Sequence, residues 1–181
     1  MVSYRYVIAF MIASLLMAGL SGCGLIREKR YQCIDDGFSI SFPRDWRVTE
    51  NAKGTRILAD IPDAEGSSVI RQNVSVVVEE AHLPVDLKQY MDLQIDGLRK
   101  LKGVKIYEQG NAVINGAAAQ WFSYSFTIND FGYKALVYTL RKERKFYVIT
   151  GISQCNNYGR HVSRFHETAK SFKFEERASG G

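Results

Sequence analysis

Two hydrophobic periods alternate along the chain and between them predict most of its elements. Phe38-Ser39-Ile40-Ser41-Phe42 alternates apolar with polar residues, and Phe122, Tyr124, Phe126 and Ile128 alternate with Trp121, Ser123, Ser125 and Thr127. A period of two marks a strand with one face on a core and one wet face. Asn115-Gly116, between Ala112-Val113-Ile114 and Ala117-Ala118-Ala119, predicts a two-residue hairpin, because a primed turn needs positive φ at both positions. Asn129-Asp130-Phe131-Gly132 and the basic tip Arg141-Lys142-Glu143-Arg144-Lys145 then separate three long strands over 117–128, 133–140 and 146–153, an antiparallel meander. Upstream, 55–61 and 69–79 predict two further strands around a loop at Gly66-Ser67-Ser68.

The period changes twice. Leu87, Tyr90, Met91, Leu98 and Leu101 form a helical stripe, opened after Pro84 by Asp86 and Gln89 as a capping box and weakened slightly by Gly97. Tyr158, Val162, Phe165, Ala169 and Phe172 form a second stripe, with Asn156 or Asn157 as its cap. Two amphipathic helices need a sheet to cover. The expected class is therefore α+β, a twisted antiparallel sheet of about six strands flanked by helices.

Ahead of this pattern, Val7 to Leu20 is an almost unbroken apolar run behind a short segment whose one charge is Arg5. It ends in Leu20-Ser21-Gly22-Cys23, a lipobox, and the layout resembles a bacterial lipoprotein signal. In such a signal Leu20, Ser21 and Gly22 are read by the signal peptidase, and Cys23 is diacylated and becomes the new N-terminus. An uncleaved anchor helix is the alternative, but charge-free residues 7 to 22 are short for a span of about 20 residues. The organisation expected is a signal peptide over 1–22, a lipidated cysteine and short basic tether over 23–30, one domain over 31–174 and a flexible tail over 175–181. Two or three acyl chains hold a protein stably at a bilayer. Arg27-Glu28-Lys29-Arg30 follows so closely that its cations would sit near the headgroups, each adding about 1 kcal/mol on an anionic leaflet. Gly24 stands where the inner-membrane sorting pattern has an aspartate, so in a cell with two membranes the expected site is the outer membrane, facing the periplasm.

Composition adds little. A net charge of +5 spread over 181 residues means a solvated surface and not a nucleic-acid face. The basic tip, with Arg141, Lys142, Arg144 and Lys145, reads as a charged hairpin end, with an acidic partner surface as the lesser alternative. Lipidation would consume Cys23 and leave Cys33 and Cys155 as a pair expected to form a disulfide in an oxidising compartment; two unpaired thiols are the alternative. No Gly-x-Ser-x-Gly elbow, phosphate loop, His-Glu-x-x-His or Cys-x-x-Cys occurs, so the chain carries no catalytic signature and a non-enzyme is expected. His161 and His166 are five residues apart, about 140° around a helix and poorly placed to chelate one ion; His82 could join them only through the fold. Asp35-Asp36, Asp60 with Asp63, and Glu79-Glu80 could take calcium through oxygen ligands but lack an EF-hand loop. Asn73-Val74-Ser75 matches a glycosylation acceptor by chance in a bacterial export context. Trp121, among serines and a threonine, is a candidate interface anchor unless a helix covers that face.

A resemblance joins these parts. Phe38-Ser39-Ile40-Ser41-Phe42-Pro43-Arg44-Asp45-Trp46 as a strand running into a Pro-x-x-Trp turn is similar to the opening of the PsbP/DcrB-like superfamily. The helix with Leu87-Lys88-Gln89-Tyr90, then Ile114-Asn115-Gly116-Ala117-Ala118, Tyr147-Val148-Ile149-Thr150 and the closing Ser171-Phe172 resemble the rest, over most of residues 31 to 174. The resemblance implies an α-β-α sandwich and a non-enzymatic accessory domain, since such proteins are extrinsic subunits or assembly helpers of photosystem II, or envelope lipoproteins. The expected role is a membrane-anchored binding or assembly module whose partner is another envelope or membrane protein. The alternative is a carrier of a small ligand or of calcium, manganese or zinc, including a photosystem II extrinsic role in an oxygenic phototroph. Apart from the covalent lipid on Cys23, no motif calls for a cofactor.

Overall fold

The computed structural model describes residues 28–52, 54–62 and 70–176. The signal segment, the lipobox with Cys23, the loop at Gly66-Ser67-Ser68 and the end of the tail lie outside them. The described strands are β1 (Glu28–Cys33), β2 (Phe38–Pro43), β3 (Arg47–Glu50), β4 (Ile57–Asp60), β5 (Asn73–Glu80), β6 (Lys105–Ile114), β7 (Ala117–Ile128), β8 (Phe131–Lys142), β9 (Lys145–Gln154) and β10 (Lys173–Phe174). Helix α1 (Leu87–Arg99) precedes β6, and α2 (Tyr158–Lys170) follows β9. Among the described residues no helix is long and apolar enough to cross a membrane.

The strands form two antiparallel sheets, one of seven in the order β3-β4-β5-β9-β8-β7-β6 and one of three in the order β1-β2-β10. The meander expected from the turn residues is β6 through β9. Asn115 and Gly116 hold φ of 48° and 84°, and Asn129 and Asp130 hold 47° and 67°. The second turn is therefore the pair Asn129-Asp130 alone, and Phe131 and Gly132 already belong to β8. The large sheet has seven strands against the expected sheet of about six; beside it β1 and β10 pair with β2 in a separate small sheet, and β3 and β10 are too short to show a period.

Both faces of the large sheet are covered. On one, Met91 and Ile95 of α1 pack on Phe122 and Val137, and Tyr90 stacks on Phe146 with ring centroids 4.0 Å apart. On the other, Phe165 and Ala169 of α2 and Phe38, Ile40, Phe42 and Trp46 of the small sheet and its turn close over Leu136, Tyr138, Leu140, Tyr147 and Ile149. This corrects the wet faces expected for two strands. All of β2 is buried, because the Ser41 N–H donates to Ser171 Oγ at 2.8 Å and Ser39 Oγ bonds Arg30 and Glu175. Ser123 is buried as well, on the α2 side of the sheet.

The expected disulfide is not there: Cys33 and Cys155 are both free thiols. Cys33 ends β1 beside Asp36, and Asp36 is bound by Lys145 and Tyr147 at the start of β9. Cys155 follows the last residue of that ten-residue strand and sits against Gly132. At about 3.3 Å per residue the strand holds the two sulfurs about 30 Å apart, whereas a bridge needs Cα atoms within about 7 Å.

Candidate functional site

Strand β6 is one of the two edge strands of the large sheet, and its pairing to β7 is interrupted by a bulge between Ile106 and Gln109. Beyond the bulge, Gly110 lies opposite Trp121. A Cβ on Gly110 would stand 2.9 Å from the indole nitrogen of Trp121, so the glycine is what lets that ring lie flat across the strand. Trp121 is half-buried, 6.2 Å from the stacked ring of Tyr138 and 6.0 Å edge-on to His166, and the Tyr138 hydroxyl and His166 Nδ1 hydrogen-bond at 2.8 Å. Burial raises the pKa of Tyr138 and lowers that of His166, with Lys170 adding to the second shift and Glu108 opposing it.

Two clefts meet at this place. The one on the α2 side, about 500 Å³, is walled by Trp121, Tyr138 and His166 over a floor at Ala112, with Glu167 and Lys170 at its rim. The one on the α1 side, about 310 Å³, has Met91 and Ile95 as its apolar wall and Lys88 and Asp92, paired at 2.6 Å, above them. Asn111 and Trp121 line both. The reading of Trp121 as either anchor or covered ring thus resolves into a half-buried ring packed on the α2 side, on a residue that lines both clefts.

The other residues singled out from the sequence are dispersed. Lys145 pairs with Asp36 Oδ1 at 2.7 Å, Arg56 pairs with Oδ2 at 2.6 Å, and the Tyr147 hydroxyl donates to the Asp36 carbonyl at 2.8 Å. This buried carboxylate with a cation on each oxygen joins the turn after β1 to β4 and β9, beside a cleft of about 340 Å³. Arg144 donates to the carbonyls of Ala81 and His82, each at 2.9 Å. Arg141 donates to the Glu143 carbonyl at 2.8 Å, and Lys142 lies 5.4 Å from the Phe174 ring centroid. The four cations of the basic tip are each held by an internal contact.

Asp60 is engaged by Arg47 at 2.9 Å, and Glu79 accepts from the Tyr90 hydroxyl at 2.6 Å. His161 lies against Phe165 and is separate from the His166 contact with Tyr138. Among the described residues no group of three or more His, Cys, Asp or Glu side chains is gathered that could hold a metal ion. The Tyr138–His166 pair and the two-sided cleft escaped the sequence because they join β7, β8 and α2 across gaps that no local spacing records.

No family model matches the chain, and no curated protein does. Solved structures do. The cyanobacterial PsbP protein CyanoP from Synechocystis superposes with a TM-score of 0.60 at 16% identity over 88% of this chain and 99% of its own. LpqN, described as involved in cell envelope biogenesis of Mycobacterium tuberculosis, gives 0.66 at 12% identity over 83% of this chain and 91% of its own. PA94, a Pseudomonas aeruginosa protein of unknown function, gives 0.53 at 13% over 80% and 95%. Identities this low carry the fold and no activity. The element order, the covered seven-stranded sheet and these superpositions together give the protein the PsbP-like α+β fold that the Phe-Pro-x-x-Trp turn and the Asn-Gly hairpin led one to expect.

Proposed function

We propose that the protein is a non-enzymatic binding or assembly module held at the cell envelope by acyl chains on Cys23. The observation that carries the reading is the β6 border, where two clefts share Trp121 and are walled by rings, aliphatic side chains and one tyrosine-bound histidine. Such walls bury a partner's side chains and offer no activated nucleophile. The lipobox supports the location, and so does the likeness in fold to LpqN, whose description places it in cell envelope biogenesis. Strand β1 begins five residues after Cys23. A tether of that length spans at most about 18 Å and keeps the domain close to the bilayer. In a two-membrane cell Gly24 directs this module to the outer membrane, on the periplasmic side.

In-cell crosslinking followed by affinity capture tests the reading, beside a Cys23→Ala control that cannot be acylated. A defined envelope protein crosslinked to the anchored form and lost from the control is the expected result. Capture that is empty from both forms, or the same from both, overturns a membrane-held module.

A further inference from the structure

The free edge of β6 differs between its two halves. The first carries Lys105, Glu108 and the bulge, all of which discourage another strand from pairing there. The second, Gln109-Gly110-Asn111-Ala112-Val113-Ile114, has no charge, no proline and no bulge. Both clefts flank this unguarded half, one on each face of the sheet.

The outward groups follow from the hairpin. Ile114 and Ala117 flank a two-residue turn, so they exchange both hydrogen bonds. Alternation assigns the same to Ala112 with Ala119 and to Gly110 with Trp121. The N–H and C=O groups of Gln109, Asn111 and Val113 therefore point away from β7. A strand laid along them would send alternate side chains to opposite faces, one set into the Met91 and Ile95 cleft and the other into the cleft of Trp121, Tyr138 and His166. The charges lining the clefts cancel, Lys88 and Lys170 against Asp92 and Glu167, so charge complementarity selects a segment without net charge.

We infer that the second half of β6 is a strand-addition site for an extended, uncharged peptide segment of another protein, with bulky apolar side chains at alternate positions. This deepens the binding-module reading and rests on it for its biological setting. Main-chain bonds to Gln109, Asn111 and Val113 supply affinity, and the two clefts supply selectivity, as in other strand-addition interfaces.

The test uses the full-length acylated protein in detergent and a fluorescent, end-capped peptide, Thr-Val-Thr-Phe-Thr-Val-Thr. Saturable binding is expected, together with slowed amide exchange over 109–113. Asn111→Pro removes one outward N–H at an edge where proline is tolerated. It should weaken binding by about tenfold, while Asn111→Thr, which keeps the N–H, stays within about twofold. No saturable binding, or unchanged exchange over 109–113 in the wild type, overturns the site whether or not the proline variant folds. Self-association that disappears in Asn111→Pro overturns it in favour of a second copy of this chain. Peptide binding that fails while cellular capture succeeds removes the strand-addition site and leaves the module standing; the reverse removes the envelope reading.

Discussion

Gly151 lies under the ring of Phe165, so close that a Cβ would come to 2.5 Å from Cγ of that buried ring. Nothing in the local sequence marks this glycine, yet it sets how near α2 approaches β9. Gly151→Ala should destabilise the protein by about 2 kcal/mol, read from urea unfolding, because a rigid ring or the whole helix must shift. Two histidines on the same helix give a pH dependence. Burial lowers the pKa of His161, with Arg164 and Arg160 adding to it, and burial and then Lys170 lower that of His166. Below the ordinary imidazole range the unfolded chain thus binds more protons than the folded one. Their contribution is fully present above about pH 6.5 and declines as the pH falls through the lowered values. Unfolding free energies measured from about pH 8 to about pH 5.5 should fall toward acid, and a double His161→Gln, His166→Gln variant should show a flatter profile over that interval.

At the scale of elements, α1 was legible because its start is encoded locally. Asp86 Oδ1 accepts from the Gln89 N–H at 2.8 Å, and Gln89 Oε1 accepts from the Asp86 N–H at 3.0 Å. Asp86→Ala should therefore lower stability by about 1 kcal/mol. Asn157 occupies the cap position of α2 but its side chain makes no capping hydrogen bond, so Asn157→Ala should stay within about 0.5 kcal/mol by the same unfolding measurement. The hairpins were legible for the same local reason, since Asn-Gly and Asn-Asp tolerate positive φ. Strand β10, two residues long, and β3, four residues long, carry no period from which to predict them.

For the whole molecule, the separation of Cys33 from Cys155 is the consequence of topology most open to a direct check. The protein, unreduced, should yield both as alkylatable thiols. Cys155, exposed, should react faster than Cys33, whose pKa is raised first by burial and which lies half-covered beside Asp36. A Cys33–Cys155 peptide in a non-reducing digest would contradict the arrangement of β1 and β9. Topology also turned Lys145 from a member of a basic tip into one of two cations on a buried carboxylate, a partner 109 residues away along the chain. The sequence by itself determined the α+β class, the meander and both helices. Each rests on side-chain alternation, turn chemistry or capping within a few residues, which short-range sterics and hydrogen bonding enforce. Only the tertiary structure decided that both sheet faces are covered, that the thiols stay apart, that Asp36 carries Arg56 and Lys145, and that Trp121 lines two clefts at a free edge. Those facts depend on which strands become neighbours across distant stretches of chain, and burial of apolar surface, which has no direction along the sequence, sets that choice.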